Sequence, residues 1–506
     1  MNTMDFSGLI AIPLISSPLV YLAGRLGSHD VTLHRRSYLV RVVAVLAVLI
    51  SWISFVISAR DFLLFGTRVF NIETIWLRVD GISLLMAGTI LLLGTLVILF
   101  SGSYMMEEVG EEKYYAMLLA MMGLMTGLVT ASDLFNLWVW FEGMAISSYL
   151  LVAFYREQPA SLEAGIKYLV QSATGSVMVL IGIAIVLAQA GTLGMAEIAG
   201  SVTGPSVNRM ALLGAGALFM IGFGVKVALV PLHTWLPDAH SQAPSGISAM
   251  LSGVVIEIGL IAMLRSLSVL TGMTLSWGIL LMVFGAVNIL YGNLLALRQT
   301  AVKRMLAYSS LSHMGYMLVG LGIALYSGVA MGAQGAFFHL FNHMLMKGLA
   351  FLSVGALMYG MFLKNNSHAS LKIKDLSGAA QKYPLAALAL SIAVLALGGM
   401  PPLAGFMSKW QIFVSGFETQ NGWIIALMIF MALNSVLSLG YYAPLVNQMY
   451  RREPSPQVLA GKPLTWTIAL PLIVMIGLVI LLGFFPGLMN WLTVPASQQL
   501  MTMFGY

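Results

Sequence analysis

The chain has 506 residues, 59% hydrophobic and only 9% charged, with a formal net charge of +6. A soluble domain carries roughly 25% charge, and here apolar runs long enough to cross a hydrocarbon core recur almost end to end, so the composition excludes a soluble fold. The runs are continuous and not alternating, which also excludes a transmembrane β-barrel. There is no cysteine, so this chain cannot build a disulfide, a thiolate metal site or an iron–sulfur cluster by itself.

The pattern predicts an all-α polytopic membrane protein with about fourteen spans. They fall roughly at 8–24, 38–59, 82–104, 114–131, 134–155, 165–190, 210–232, 243–271, 275–297, 304–325, 332–361, 384–417, 421–447 and 465–490. The first reads as a retained helix and not a cleaved signal, because Arg25, Arg35 and Arg36 follow the apolar run instead of preceding it. Residues 67–80 alternate polar and apolar side chains and predict a short hairpin or interfacial segment. Glu107, Glu108 and the GEEKYY stretch from Gly110 read as a solvated acidic loop.

The basic loops set an orientation. With the N-terminus outside, the inner loops collect Arg25, Arg35, Arg36, Lys113, Arg156, Lys167, Arg298, Lys303, Arg304, Lys364, Lys372, Lys374, Lys382, Arg451, Arg452 and Lys462. The outside keeps Arg60, Arg68, Arg78, Arg209 and Arg265. The asymmetry predicts both termini outside a plasma (inner cell) membrane, and dispersed basic residues of this kind are no nucleic-acid signal.

Two spans read as interrupted. GFGVKVALVPLHTWLPDAH contains Pro231 and Pro237; LALGGMPPLAGFMSKW contains Pro401 and Pro402 after paired glycines. Proline removes a helical hydrogen bond, and unwound backbone at membrane depth survives only where it is buried or lines a cavity. Each interrupted span carries a lysine, and the two occupy corresponding places in two five-helix blocks. That arrangement points to inverted repeats around a midplane site. The expected division is an N-terminal region 1–113, repeats 114–272 and 273–450, and a C-terminal helix region 451–506.

The chemistry lies in ionisable residues inside spans. Glu142, Lys226, Glu257, Lys347 and Lys409 all fall in apolar stretches. Buried charges are costly and by default mark ion or proton pathways. Lys226 is the natural partner for Glu142; the plain alternative is a static ion pair that fixes helix packing. For Lys409 the alternative is snorkelling to an interface, and for Lys303 a simple interfacial position. His339, His343 and Lys347 recur at i, i+4, i+8 and so share a helix face. Without HExxH or a third ligand nearby, that face reads as a proton-conducting stripe and not a zinc site. His313 begins the tenth span with Lys303. His233 and His240 flank the first interruption, where Asp238 is placed to cap a helix. The 35 methionines read as adaptable packing, and no nucleotide-binding fingerprint is present.

Five segments together resemble one known family: LFNLWVWFEGMAISSYLLVAFY, GFGVKVALVPLHTWLPDAHSQAPSGISAMLSG, VKRMLAYSSLSHMGYM, GAFFHLFNHMLMKGLAFL and GGMPPLAGFMSKW. They look like the antiporter-like subunits shared by respiratory complex I, Mrp cation/proton antiporters (the D-type subunit above all) and membrane-bound hydrogenases with sulfane-sulfur reductases. The resemblance covers roughly residues 80–450. It implies fourteen helices, two inverted five-helix repeats and a central polar axis. Glu142 matches the family's essential glutamate and Lys226 the lysine of the first broken helix. His339, His343 and Lys347 match the central relay, and Lys409 the terminal lysine.

One position departs: Glu257 stands where many relatives carry lysine or histidine, which reverses the sign of the charge in mid-relay. The chain also ends soon after the last expected span, without the long lateral helix of the terminal complex I subunit. The resemblance implies a proton-translocating subunit of a redox-driven translocase, partnered by other membrane subunits and lipid. This chain would bind no cofactor; Fe–S clusters, a NiFe centre or flavin would sit in partner subunits. The alternatives are an Mrp-type Na+/H+ antiporter subunit without a redox partner, and a scaffold whose charges merely lock helices together.

Overall fold

Continuous apolar runs become long helices wherever the chain has no proline–glycine interruption, and polar residues at their starts supply the caps. The computed structural model describes residues 4–26, 33–72, 75–106, 108–202, 207–271, 276–362 and 370–506. Glu107 and Lys364 lie outside these, as do the side chains of Arg35 and Arg36. Helices α1 (Met4–Leu26) and α2 (Leu33–Phe65) lead to a two-stranded antiparallel hairpin, β1 (Arg68–Ile72) and β2 (Ile75–Val79), as the alternation at 67–80 predicts. Asp80 then caps α3 (Gly81–Tyr104): its side chain accepts from the Ser83 N–H at 2.8 Å while the Ser83 hydroxyl takes the Asp80 N–H at 2.7 Å.

Next come α4 (Glu111–Thr130), α5 (Leu134–Val152), α6 (Pro159–Ala190), the short α7 (Met195–Ser201) and α8 (Arg209–Val227). The first interruption follows, with α9 (Trp235–Gln242) beyond it. A near-continuous helix is then built from α10 (Ser245–Met250), a π-helical turn at Leu251–Val255 and α11 (Ile256–Ser268). Helices α12 (Trp277–Ala296), α13 (Val302–Ser327) and α14 (Ala330–Phe362) precede the short α15 (Ala379–Lys382). The second interruption separates α16 (Pro384–Gly398) from α17 (Ala404–Glu418). The chain closes with α18 (Gly422–Met449), α19 (Pro456–Ala460), α20 (Trp466–Phe484) and α21 (Asn490–Met503). Eleven of the described helices are long and apolar enough to cross a membrane, so this is an integral membrane protein. The last expected span, 465–490, ends early: α20 stops at Phe484, and after Pro486 the chain folds back as α21 against α3 and α14.

The helices run between two ends. At the hairpin end, Ser132 N–H bonds the Trp76 carbonyl (3.0 Å), Met195 N–H the Ser132 carbonyl (3.0 Å), and the Tyr506 hydroxyl the Leu325 carbonyl (2.7 Å). At the other, Val302 N–H bonds Leu371 (2.9 Å) and Lys462 N–H bonds Gly360 (2.8 Å); we call this the basic end.

The acidic stretch is not simply solvated. Glu111 is buried and paired with Arg41 of α2 at 2.7 Å, and Glu112 lies 3.9 Å from Arg25 of α1. The first turn of α4 therefore holds the two N-terminal helices, a tertiary pairing that local composition cannot reveal.

One seam positions the core of the second half. Gly278, Gly285 and Gly292 recur every seven residues on α12 and meet Gly322, Gly315 and Ser312 of the antiparallel α13. A Cβ at Gly285 would lie 2.8 Å from the Gly315 carbonyl oxygen. Membrane helices pack closely through small residues of this kind. Gly285→Leu is expected to force the helices apart and destabilise the protein by about 1–3 kcal/mol or more. Gly477→Leu on α20, where a Cβ meets nothing within 4 Å, should leave stability near wild type. Thermal unfolding of the two purified variants checks the contrast.

Candidate functional site

The first half assembles around α6. Its residues Tyr168, Ser172 and Ser176 recur at i, i+4, i+8 and present three hydroxyls on one face. Glu142, half-buried on α5, accepts from the Ser176 hydroxyl, which also receives the Trp138 indole N–H at 2.9 Å. Lys226 Nζ donates to Tyr168 (2.8 Å) and Ser172 (3.4 Å), and lies 4.6 Å above the Tyr168 ring. Glu142 and Lys226 thus converge on one helix, but not as the direct ion pair their complementary charges suggest. The α6 hydroxyls stand between them, and sequence reasoning missed all three; their four-residue spacing within IKYLVQSATGSV is the signal that was there to read.

Lys226 is the penultimate residue of α8, at the interruption. Ala228 takes a left-handed conformation (φ 59°), uncommon for a residue with a Cβ. The freed backbone is bound by Asn288 of α12: its amide nitrogen donates to the Ala228 carbonyl (3.3 Å), and its oxygen accepts the Val230 N–H (2.8 Å). Trp235 closes the other side, giving its indole N–H to the Val225 carbonyl (2.8 Å) while stacking on Tyr168 with ring centroids 4.0 Å apart. Asn288 is a fourth residue that sequence reasoning missed.

Glu257 follows the π-helical turn at the start of α11 and is fully buried. Its Oε1 lies 2.8 Å from His343 Nδ1 on α14, an ion pair when the imidazole is protonated. Glu257 Oε2 and His343 Nε2 have no partner among the described residues. Two residues along α11, Gly259 leaves room for the Lys226 side chain; a Cβ there would sit 2.9 Å from Lys226 Cγ.

The central cluster joins α13, α14 and α17. His313 Nδ1 lies 3.1 Å from His339 Nε2, whose Nδ1 lies 2.9 Å from the Ser408 hydroxyl. The rings of His313 and His343 are 5.4 Å apart. Ser408 in turn bonds the Ala404 carbonyl (3.2 Å). With that hydroxyl donating, His339 carries its proton on Nδ1 and accepts from His313 at Nε2.

Lys347 shares the helix face of the two histidines but turns aside, donating to the Leu306 carbonyl (2.8 Å) and to Ser309. Lys409 does not snorkel: it is 2% exposed and donates to the Leu397 carbonyl and the Ser435 hydroxyl, both at 2.8 Å. Its Nζ also lies 4.6 Å over the Tyr316 ring. Ser408, not Lys409, is the residue of α17 that touches the histidines.

The polar residues nearer the basic end also differ from expectation. Lys303 is buried, not interfacial, and donates to the Ala243 carbonyl (2.9 Å). His240 is buried against Phe351 with neither ring nitrogen partnered among the described residues. Asp238 caps no helix; it binds Arg304 (2.5 Å) and Lys167 (3.1 Å), tying α9 to α13 and α6. Arg265 is not a loop residue: it is fully buried with Asp80. Among the described residues no group of three or more His, Asp or Glu side chains converges as a metal site.

Comparison with known proteins completes the picture. The family profile described as "NADH:quinone oxidoreductase/Mrp antiporter, TM" matches residues 131–438, and that for the complex I chain 5 N-terminus matches residues 70–115. NADH-quinone oxidoreductase subunit N of Trichlorobacter lovleyi is 34% identical over 403 residues, covering 79% of this chain and 80% of the relative. F(420)H(2) dehydrogenase subunit N of Methanosarcina mazei is 32% identical, covering 81% and 82%. A subunit of an archaeal membrane-bound sulfane sulfur reductase superposes with a TM-score of 0.85 at 28% identity, over 97% of each chain. The chain therefore belongs to the NADH:quinone oxidoreductase/Mrp family of antiporter-like membrane subunits.

Proposed function

We propose that this chain is the proton-translocating subunit of a redox-driven ion-pumping complex. The observation that carries the reading is a file of ionisable and hydroxyl side chains, all buried but the half-buried Glu142: Glu142–Ser176, Ser172–Lys226–Tyr168, Glu257–His343 and His313–His339–Ser408, with Lys347 and Lys409 beside its far half. Such residues buried in membrane spans are costly unless they serve transport. Unpartnered Glu257 Oε2 and His343 Nε2 mark where water bridges the gaps. Protons are taken up from the basic end near Glu142 and Lys226, pass Glu257 and the histidines, and leave near Lys409. Each step is driven by the charge on its neighbours.

The same reading assigns the chain fourteen crossings: the eleven long apolar helices together with α5, α13 and the bipartite α16–α17. Residues 114–272 and 273–450 form two inverted repeats, each with a lysine at its broken helix, flanked by 1–113 and 451–506. The basic end faces the inside of a plasma membrane, leaving both termini outside. The relatives at 30% identity or more carry names of electron-transferring enzymes, which supports a redox partner holding the Fe–S, NiFe or flavin groups over an Mrp-type sodium antiporter. Imidazoles hydrogen-bonded to one another suit H+ and offer no oxygen cage for Na+.

In the assembled complex reconstituted in vesicles, Glu142→Gln or Lys226→Ala is expected to lower redox-driven proton pumping about a hundredfold or more. Pumping at the wild-type rate would end the assignment. Tyr168→Phe removes one acceptor of the Lys226 ammonium and should slow pumping about tenfold, with assembly intact; initial acidification rates at equal complex content read this out.

A further inference from the structure

The hairpin end of the first half holds charges that the relay does not use. Asp80, before α3, and Arg265, two turns beyond Glu257 on α11, are both fully buried. Arg265 Nη2 contacts the two carboxylate oxygens at 2.9 and 3.0 Å and donates to the Val129 carbonyl of α4 at 2.8 Å. Arg78 on β2 interacts electrostatically with both. Two guanidinium groups therefore share one carboxylate, leaving a net positive charge.

In and beside this cluster, Arg265 Nε and Nη1, Arg78 Nε, Ser132 Oγ and Ser266 Oγ are buried without a partner among the described residues. Buried polar atoms of this kind are where proteins hold water. A rise of about 1.5 Å per residue puts Arg265 about 12 Å along α11 from Glu257, and Gly259 between them packs on the Lys226 side chain. Water reaching that far would let a proton held at Lys226 leave at the hairpin end without passing the histidines.

We infer that Arg265, held by Asp80 and Val129, is a fixed positive barrier that closes the hairpin end of the first half to protons and other cations. The inference rests on the proton-translocating reading above. A guanidinium does not give up its proton in a protein, so it cannot pass one on as a buried lysine can. Its charge repels hydronium while leaving water in place, as an arginine does in a water-selective pore. Both oxygens of Asp80 are engaged, by Arg265 and by the Ser83 N–H. The second half differs: from Tyr316 to Met346, and over Ala404–Gly440, Lys409 is the only lysine or arginine. Its hairpin end carries no equivalent barrier, so the two halves together give the path one direction.

The test is passive proton leak through the complete complex in vesicles, with the redox reaction idle and a potassium diffusion potential as the driving force. Arg265→Gln leaves Arg78 and Asp80 to cancel, removing the net positive charge of the cluster at nearly constant shape, and should raise the leak at least about tenfold. Asp80→Asn alone keeps the guanidinium and should remain at the wild-type leak, whereas Arg265→Lys, whose buried ammonium can release its proton, should leak more than wild type. Should Arg265→Gln fail to assemble, Arg265→Gln with Asp80→Asn and Arg78→Gln, which leaves neither a net charge nor a stranded carboxylate, carries the test. A wild-type leak in the charge-removed variant, with all subunits present, overturns the barrier. Glu142→Gln run alongside separates the two claims: if it pumps normally the translocation reading fails, whereas the barrier is judged only by the leak.

Discussion

An ammonium or carboxylate held among membrane helices needs oxygen and nitrogen partners, because neither lipid nor leucine supplies any. This requirement shapes the whole interior. Lys409 takes the Leu397 carbonyl freed by the second interruption, and Lys303 takes the Ala243 carbonyl just past α9. Lys226 sits where α8 ends but finds its partners on α6, leaving the opened backbone to Asn288. The broken helices are thus the places where the fold can afford buried charge, and the glycine seam between α12 and α13 holds α13 and its histidine against them.

The arrangement of groups favours transfer over static pairing. A static lock would join Glu142 to Lys226 directly; instead each is bonded to hydroxyls of one helix, which can donate or accept as the proton moves. Glu257 brings its carboxyl group against His343. The imidazole beyond it then has a carboxylate on one side and the His313–His339 pair on the other.

Ion pairs outside the relay do separate work. Arg41–Glu111 and Arg25–Glu112 fasten the N-terminal helices to α4. Asp238 gathers Arg304 and Lys167 beside the short α9, steadying the backbone just past the first interruption. Asp80–Arg265 is the only fully buried arginine–carboxylate pair among the described residues, and breaking such a pair leaves an uncompensated charge. Its place at the end of α11 gives it control over water approaching Lys226 from the hairpin end.

The sequence by itself determined what depends on local chemistry. Apolar length marked the helices, alternation marked the hairpin at 67–80, and prolines 231, 401 and 402 marked the interruptions. The rarity of charge in such runs singled out Glu142, Lys226, Glu257, His339, His343, Lys347 and Lys409. Only the tertiary structure decided who touches whom. Hydroxyls and amides such as Tyr168, Ser176, Asn288 and Ser408 are ordinary in composition, and they gain meaning only when a distant helix brings a charge to them. Arg265 counts with the outer basic residues because it lies near the end of the expected span 243–271; Asp80 before α3 and the Val129 carbonyl of α4 hold it buried instead. Hydrophobicity and backbone breaks are properties of neighbours in sequence, whereas partners of buried charges are set by helix packing across the fold.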